Sequence, residues 1–295
     1  MHIDNLNYFF QVANSKSIST VAKNAHLSQS ALSQQILKLE NELNVKLLNR
    51  SNKGVTLTTE GEILFKHCET ILSAYNKMQE EILSSINKKK YISIEAVESI
   101  SLTILPVAIS KLKKVYDFYT INSDTIECCS NMNLPNNICD IYICYKKPEE
   151  FEGIITKQIG FDEIVLISNS NFPINTIKKE QLFDLPLIFT FNKSCLKNSL
   201  YSALNFNEED LEHVNILYSS NSYFSALNGV LSSKAVAFIP MSIYNNYCST
   251  TNIKRIKIED FSVSLPIYIS YTESFYKTNS DFIKSLNNIL KGYLS

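Results

Sequence analysis

Apolar residues in the first third of the chain recur at helical spacing; from about residue 91 onward they alternate at strand spacing. Leu6, Phe9, Phe10 and Ala13 give a helix over roughly 4–14 one buried face. Ile18, Val21, Ala22 and Ala25 do the same for a second, short helix, which breaks at His26-Leu27-Ser28. Ser28 is a good N-cap, because its hydroxyl can accept from an unpaired first-turn amide. Leu32, Ile36, Leu39 and Leu43 then form the stripe of a third helix. Val55 and Leu57 alternate with Thr56 and Thr58 behind a turn at Gly54, which predicts a small β wing. Thr59 and Glu62 read as a capping box with Thr59 as N-cap. It opens a helix to about Asn87, along which Leu64, Cys68, Ile71, Tyr75, Met78 and Ile82 recur at alternating spacings of four and three, the seam of a coiled coil.

Asn87–Lys90 is a polar run that marks a hinge. Beyond it the pattern predicts a strand at Tyr91–Ala96, a loop at Glu98–Ser101 and a helix from about Leu102 to Tyr116, with Pro106 tolerated near its first turn. Strands follow near 119–127, 140–145, 154–159 and 163–168. Past Pro173 come a strand at 187–191, a helix at 194–204, a strand at 213–218, a helix at 222–231 and a strand at 235–239. A last strand lies at Pro266–Tyr271 and a closing amphipathic helix at 279–293. Such alternation argues for parallel sheets with crossover helices.

The third helix carries Ser30, Ser33, Gln34 and Leu37 on its outer face, with Gln29 and Lys38 at the margins. Short hydrogen-bonding side chains with little charge suit the major groove, where Ser and Gln pair with base edges and Leu touches a thymine methyl. An ordinary helix pair in an all-α core would give the same apolar pattern. The finer sequence separates the two. Leu6-x-x-Phe9-Phe10-x-Val12-Ala13, Ser17-Ile18-Ser19-x-x-Ala22, Leu27-Ser28-Gln29-Ser30-Ala31-Leu32-Ser33, Ile36-x-x-Leu39-Glu40-x-x-Leu43, Leu47-Leu48-x-Arg50 and Val55-x-Leu57-Thr58-x-x-Gly61 stand in order. This series resembles the N-terminal domain of the LysR-type transcriptional regulators. A weaker resemblance to that family's effector domain runs through Ala226–Pro240 and Ile164–Pro173.

The resemblance implies a multi-domain chain: a winged helix-turn-helix DNA-binding domain at 1–58, a linker and dimerisation helix with hinge at 59–90, and an α/β effector-binding domain at 91–295. The last would have two subdomains like a periplasmic binding protein, I at 91–162 plus 266–295 and II at 163–265. It implies a regulator that binds double-stranded DNA as a homodimer through residues 59–87, assembled further into a homotetramer, and that answers a small-molecule effector. Ser28, Gln29, Ser30, Ser33, Gln34, Leu37, Lys38, Arg50 and Lys53 would make the DNA contacts. The chain departs from the family at Asn44, where Gly is common, at Leu48, where Phe is, and at Gln34 and Leu37, where Arg is. The last two imply a different operator preference or weaker non-specific binding.

Charge adds a constraint. Lys and Arg number 28 against 29 Asp and Glu, a formal net charge of −1, so any DNA affinity is local. Up to Thr58 the six basic residues Lys16, Lys23, Lys38, Lys46, Arg50 and Lys53 face only Asp4, Glu40 and Glu42. That excess supports a few phosphate contacts per subunit and requires a dimer or larger assembly for useful affinity. No export signal precedes the first helix and no apolar run is long enough for a bilayer, so a cytoplasmic protein with no membrane partner is expected. Seven cysteines, an odd number, suit reduced thiols.

In a two-subdomain α/β fold a ligand lies at strand C-termini and helix N-termini. Ser99, Ser101, Thr103, Thr190, Asn221, Ser222 and, at a strand end, Tyr145 are the candidates for holding the effector, or else simple N-caps. With no Arg or Lys among them, a highly charged effector is not indicated. Cys128-Cys129 and Cys139-x4-Cys144 lack the spacing and the histidine of a metal site, and Cys195 has no close partner for redox sensing. No metal, cofactor or catalytic residue is expected. An α/β enzyme with a helical arm would need a polar catalytic cluster, and a solute-binding protein an export signal; the sequence displays neither.

Overall fold

The computed structural model describes residues 2–51, 54–86, 90–126, 134–136, 138–190, 200, 202–204, 213–248 and 251–294. The chain divides into two units, residues 1–87 and 88–295. The predicted helix at 194–204 lies mostly outside the described residues.

The first unit begins with α1 (Ile3–Ser15), α2 (Ile18–Asn24) and α3 (Gln29–Leu43). Ser17 caps α2 by accepting from Thr20 N–H, and Ser28 caps α3 by accepting from Ala31 N–H at 3.1 Å. Between them His26 takes a left-handed φ of 54°, and Leu27 N–H donates to the Ala22 carbonyl at 2.9 Å, which closes the turn. Leu6, Phe9, Val12, Ile18, Val21, Ala22, Leu32, Ile36 and Leu39 form one core with Leu47, Leu48, Val55 and Cys68. Leu43, in the last turn of α3, does not join it and is 40% exposed. The helix ends at Asn44, whose φ of 54° is the left-handed C-cap. Asn tolerates that conformation, which accounts for its standing where the family commonly has glycine.

Strands β1 (Leu48–Ser51) and β2 (Gly54–Leu57) pair antiparallel as the wing. Then comes α4 (Thr59–Ile86), 28 residues and so about 42 Å long. Its cap is Thr58, not Thr59: Thr58 Oγ1 accepts from Gly61 N–H at 3.0 Å and donates to the Lys46 carbonyl. Gly61 is required by proximity, since a Cβ there would lie 2.1 Å from the Leu47 carbonyl oxygen. Phe10 of α1 stacks on Phe65 of α4 at 5.1 Å between ring centroids. The root of α4 is thus fastened to both the wing and α1. The seam splits accordingly. Cys68 is buried in the unit's own core and Leu64 packs on it, whereas Ile71, Met78 and Ile82 are exposed.

In the second unit β3 (Lys90–Val97) lies between β4 (Tyr119–Ile126) and β5 (Ile141–Cys144), parallel to both. Two short helices, α5 (Glu98–Leu102) and α6 (Ile104–Lys113), replace the predicted loop and single helix. Pro106 falls in the first turn of α6, where its missing N–H costs nothing. The two strands predicted at 154–159 and 163–168 are one, β6 (Ile154–Asn169). The short β7 (Thr176–Ile177) precedes β8 (Leu187–Phe189) and β9 (Ile216–Ser219). Then follow α7 (Tyr223–Ser232), β10 (Val236–Pro240), β11 (Ile253–Ile258), β12 (Ser264–Thr272) and α8 (Glu273–Lys291). The hydrogen-bonded order is β4-β3-β5-β12-β6-β10-β8-β9, with β11 on β6 and β7 on β11.

The arrangement is mixed rather than purely parallel. β12 pairs antiparallel with β5 and with the first half of β6, and β10 and β11 pair antiparallel with its second half. The strands that carry the chain from one sheet to the other arrive from the opposite end, so they cannot match the parallel crossovers on either side. The passage occurs at Asp162–Ile164 on β6 and Val263–Leu265 on the return, where Ile164 N–H donates to the Val263 carbonyl at 2.8 Å.

Candidate functional site: a nucleic-acid interface and a candidate effector cleft

Ser28, Gln29, Ser30, Gln34, Leu37 and Lys38 are all exposed and Ser33 is half-buried, so α3 presents them on its outer face. Leu37 is 41% exposed, a large apolar side chain on an otherwise polar surface. Ser28 Oγ and Ser30 Oγ lie 3.0 Å apart, so the first-turn hydroxyls are partly engaged with each other. Arg50, on β1, stands 3.6 Å from Glu40 Oε2 with its side chain 40% exposed. Lys53 lies outside the described residues.

Glu40 was not anticipated as part of this surface. It is buried on the inner side of α3, where Oε1 accepts from Leu47 N–H at 2.8 Å and Leu48 N–H at 3.2 Å. A carboxylate bonding two backbone amides and a guanidinium fixes where the wing leaves the third helix. That in turn sets where Arg50 stands relative to Gln34 and Leu37. A glutamate within an apolar stripe was the available signal.

The effector candidates are drawn together less evenly. Ser99 is fully buried and its hydroxyl meets Tyr145 OH at 2.5 Å. Tyr145 OH also donates to Asp162 Oδ2 at 2.8 Å. Asp162 accepts in addition from Ser242 Oγ at 2.6 Å and Ser242 N–H at 3.1 Å. This buried network joins α5, the residue just past β5, the crossing point of β6 and the helical turn after β10. Burial pushes the Asp162 carboxyl above the ordinary aspartate range despite those donors, and burial together with Asp162 pushes Tyr145 well above the usual phenol range. Thr103 is buried and donates to the Ser99 carbonyl, and Thr190 donates to the Phe238 carbonyl at 3.0 Å, so both serve the backbone. Ser101 Oγ pairs with Thr125 Oγ1 at 2.7 Å. Asn221 is exposed.

Ser222 precedes α7 but does not cap it. Its hydroxyl donates instead to Glu98 Oε1 at 3.3 Å, and Tyr223 N–H donates to the same oxygen at 3.2 Å. Glu98 opens α5, so this contact spans the two sheets; Tyr247 OH, bonded to the Leu102 carbonyl at 2.9 Å, is a second. Glu98, Asp162, Ser242 and Tyr247 went unread in the sequence because nothing local marks a residue whose partner is 80 or more positions away.

Cys68, Cys139, Cys144 and Cys248 are buried; Cys128, Cys129 and Cys195 lie outside the described residues. Burial pushes Cys68 and Cys248 up to about 11. At pH 8 roughly one in a thousand of each would be thiolate, and the thiolate is the reactive species. Site-resolved alkylation with iodoacetamide should therefore leave both unmodified in the folded protein for hours and label them promptly in urea. Prompt labelling of the folded chain would contradict the packing described. Among the described residues no group of three or more His, Cys, Asp and Glu could hold a metal ion. No helix among them is long and apolar enough to cross a membrane.

Residues 3–62 match the family model for the bacterial regulatory helix-turn-helix protein, lysR family, and residues 88–280 match the LysR substrate binding domain. The chain is 24% identical over 275 residues to the nitrogen assimilation regulatory protein nac of Escherichia coli, covering 90% of this chain and 88% of that one. It is likewise 24% identical over 294 residues to the HTH-type transcriptional regulator YofA of Bacillus subtilis, covering 98% and 99%. Among solved structures it resembles CbnR, a LysR family transcriptional regulator, with a TM-score of 0.71, 17% identity and coverage of 98% and 99%. The structure of full-length CbnR complexed with its target DNA gives 0.65 at 17% identity, covering 98% of this chain and 100% of that one.

Proposed function

The chain belongs to the LysR family of DNA-binding transcriptional regulators, not enzymes, and from that premise we propose how its own residues divide the work. Residues 1–58 bind double-stranded DNA, 59–90 join the protomers and form the hinge, and 91–295 bind the effector between subdomain I (91–162 and 266–295) and subdomain II (163–265). Ser28, Gln29, Ser30, Ser33, Gln34, Leu37 and Lys38 read or flank the major groove, while Arg50 and Lys53 meet phosphate or the minor groove. Two homodimers make the working tetramer, in the cytoplasm where the DNA is. A small molecule that biases closure of the cleft changes the angle between dimers and so the bend of the DNA.

The observation that carries this reading is the exposed outer face of α3, with Leu37 at 41%, set behind a buried inner face. A gel shift on the DNA upstream of the protein's own gene tests it. Specific binding that weakens steeply with salt is expected; its absence would overturn the assignment.

The dimer carries its own prediction. Ile71, Met78 and Ile82 leave an apolar stripe uncovered along α4 beyond the first unit's core. Replacing Met78 and Ile82 together with Glu places like charges in a paired seam. Analytical ultracentrifugation should then find monomer at concentrations where the parent is dimeric or larger, with operator affinity reduced about 100-fold. An unchanged assembly state would remove α4 from the interface.

A further inference from the structure

We propose that Glu98 is a specificity-determining residue of the effector cleft: its carboxylate holds the anion position at the N-terminus of α7 and so keeps a carboxylate group of any effector out of that position. This rests on the effector-domain reading and names which chemistry that site refuses.

The N-terminus of a helix of this length offers unpaired N–H groups and a partial positive charge, and anions settle there. In this protein one settles from within. Glu98 Oε1 takes Tyr223 N–H and Ser222 Oγ, the two donors that a bound carboxylate would use. The usual alternative, a capping side chain on α7 itself, is absent: Ser222 donates outward to Glu98 and makes no cap bond, while its own N–H is taken by Ser220 Oγ. The carboxylate comes from α5 across the cleft, held by a helix that also carries buried Ser99 and Ile100. It is half-buried, and burial raises its proton affinity while the two donors of α7 oppose that rise.

Among the described residues the groups acting on the Glu98 carboxylate are the two donors of α7, and neither is a cation. The groups set against Glu98 among the described residues are Ser222 and Tyr223, and Tyr223 also lies in the field of Asp162; Lys146 and Lys147 are exposed beyond the end of β5, with Lys147 paired to Glu150. A second anion brought to α7 would have to displace Glu98 and sit beside it. A ligand that supplies donors, such as an ammonium or a neutral hydroxyl compound, can instead bond the free oxygen of Glu98 and leave the α7 contact in place.

The test uses the full-length protein with sodium acetate as probe, against sodium chloride at matched ionic strength. Amide hydrogen exchange over residues 222–226 and the thermal midpoint are the readouts. In Glu98→Ala these amides should exchange at least tenfold faster than in the parent, and acetate should restore protection saturably and raise the midpoint. The parent and Glu98→Gln, whose amide oxygen still accepts, should stay protected and indifferent to acetate. Acetate protection of the parent equal to that of Glu98→Ala would overturn the proposal, as would unchanged exchange in Glu98→Ala or faster exchange that acetate fails to reverse. If Glu98→Ala does not melt cooperatively, the parent and Glu98→Gln decide the matter, since a response of either to acetate is excluded. Operator binding measured on the same preparations separates the two readings: its loss bears on the regulator assignment, whereas the acetate result bears only on Glu98.

Discussion

Replacing Leu37 with Glu is expected to abolish specific operator binding while leaving the fold and its melting temperature unchanged. Leu37 faces outward, 41% exposed, one turn after Ser33 and beside Gln34. A carboxylate there removes an apolar contact to a base and sets negative charge against the phosphates. One well-placed base contact is worth about 1–3 kcal/mol, and a dimer presents the residue to two half-sites. The combined loss is then on the order of 2–6 kcal/mol, a fall of at least about 30-fold in affinity. Fluorescence anisotropy on an operator fragment, with a circular dichroism melt of the same preparation, checks both parts. Binding within twofold of the parent would mean that this face does not enter the groove. Leu37→Arg is the informative companion. It restores the residue common in the family and should strengthen non-specific binding and steepen its salt dependence, because an added cation releases more counterions.

The second large effect concerns stability. Asp162→Ala removes the acceptor of Tyr145 OH, Ser242 Oγ and Ser242 N–H, three donors gathered at a residue only 3% exposed. Each buried donor left without a partner costs about 1–3 kcal/mol, and relaxation recovers part of the sum, so a net loss of about 3–5 kcal/mol is expected. For a unit of this size that lowers the thermal midpoint by roughly 10 °C. Asp162→Asn keeps the shape and one acceptor oxygen but turns an NH2 toward donors, and should lose about half as much. Differential scanning calorimetry resolves the two units if they melt separately; a shift below 2 °C for the alanine variant would show that the network is not a stabilising one.

The helix-turn-helix was legible because its determinants are local. Ser28 as a cap, the two apolar stripes and the break at His26 all lie within a few residues of what they specify. Errors came where a longer range decided. Leu43 continues the stripe of α3 yet stays exposed, because periodicity does not say how far the partner helices reach. Thr58 and Thr59 are both chemically able to cap α4, and the carbonyl of Lys46, twelve residues back, favours the first. β6 read as two strands because Gly160-Phe161-Asp162 breaks the apolar run, whereas in the fold that break is the passage between two sheets. β11 was not anticipated, since Lys254, Arg255 and Lys257 mask the buried Ile253, Ile256 and Ile258.

The candidate cleft was the least legible part. Serine and threonine near helix starts were readable as types. Most of them turn out to be occupied: Ser99 with Tyr145, Ser101 with Thr125, Thr190 with the Phe238 carbonyl. The groups that organise the cleft are two acids, and an acid in a sequence reads as solvated surface unless its distant donors are known.

The close approach of Gly61 to the Leu47 carbonyl, with Phe10 laid on Phe65, has a mechanical meaning. With so little slack at its base, α4 and the helices packed on it would turn as one stiff lever, whose short arm on the proposed reading is α3. A tilt of about 10° applied at the far end of a rod about 42 Å long sweeps that end through about 7 Å, and on the proposed reading the same 10° would reach the groove. Any side chain larger than hydrogen at position 61 would force a gap at the fulcrum. On the proposed mechanism, a tilt would then be lost in the joint before it reached the duplex.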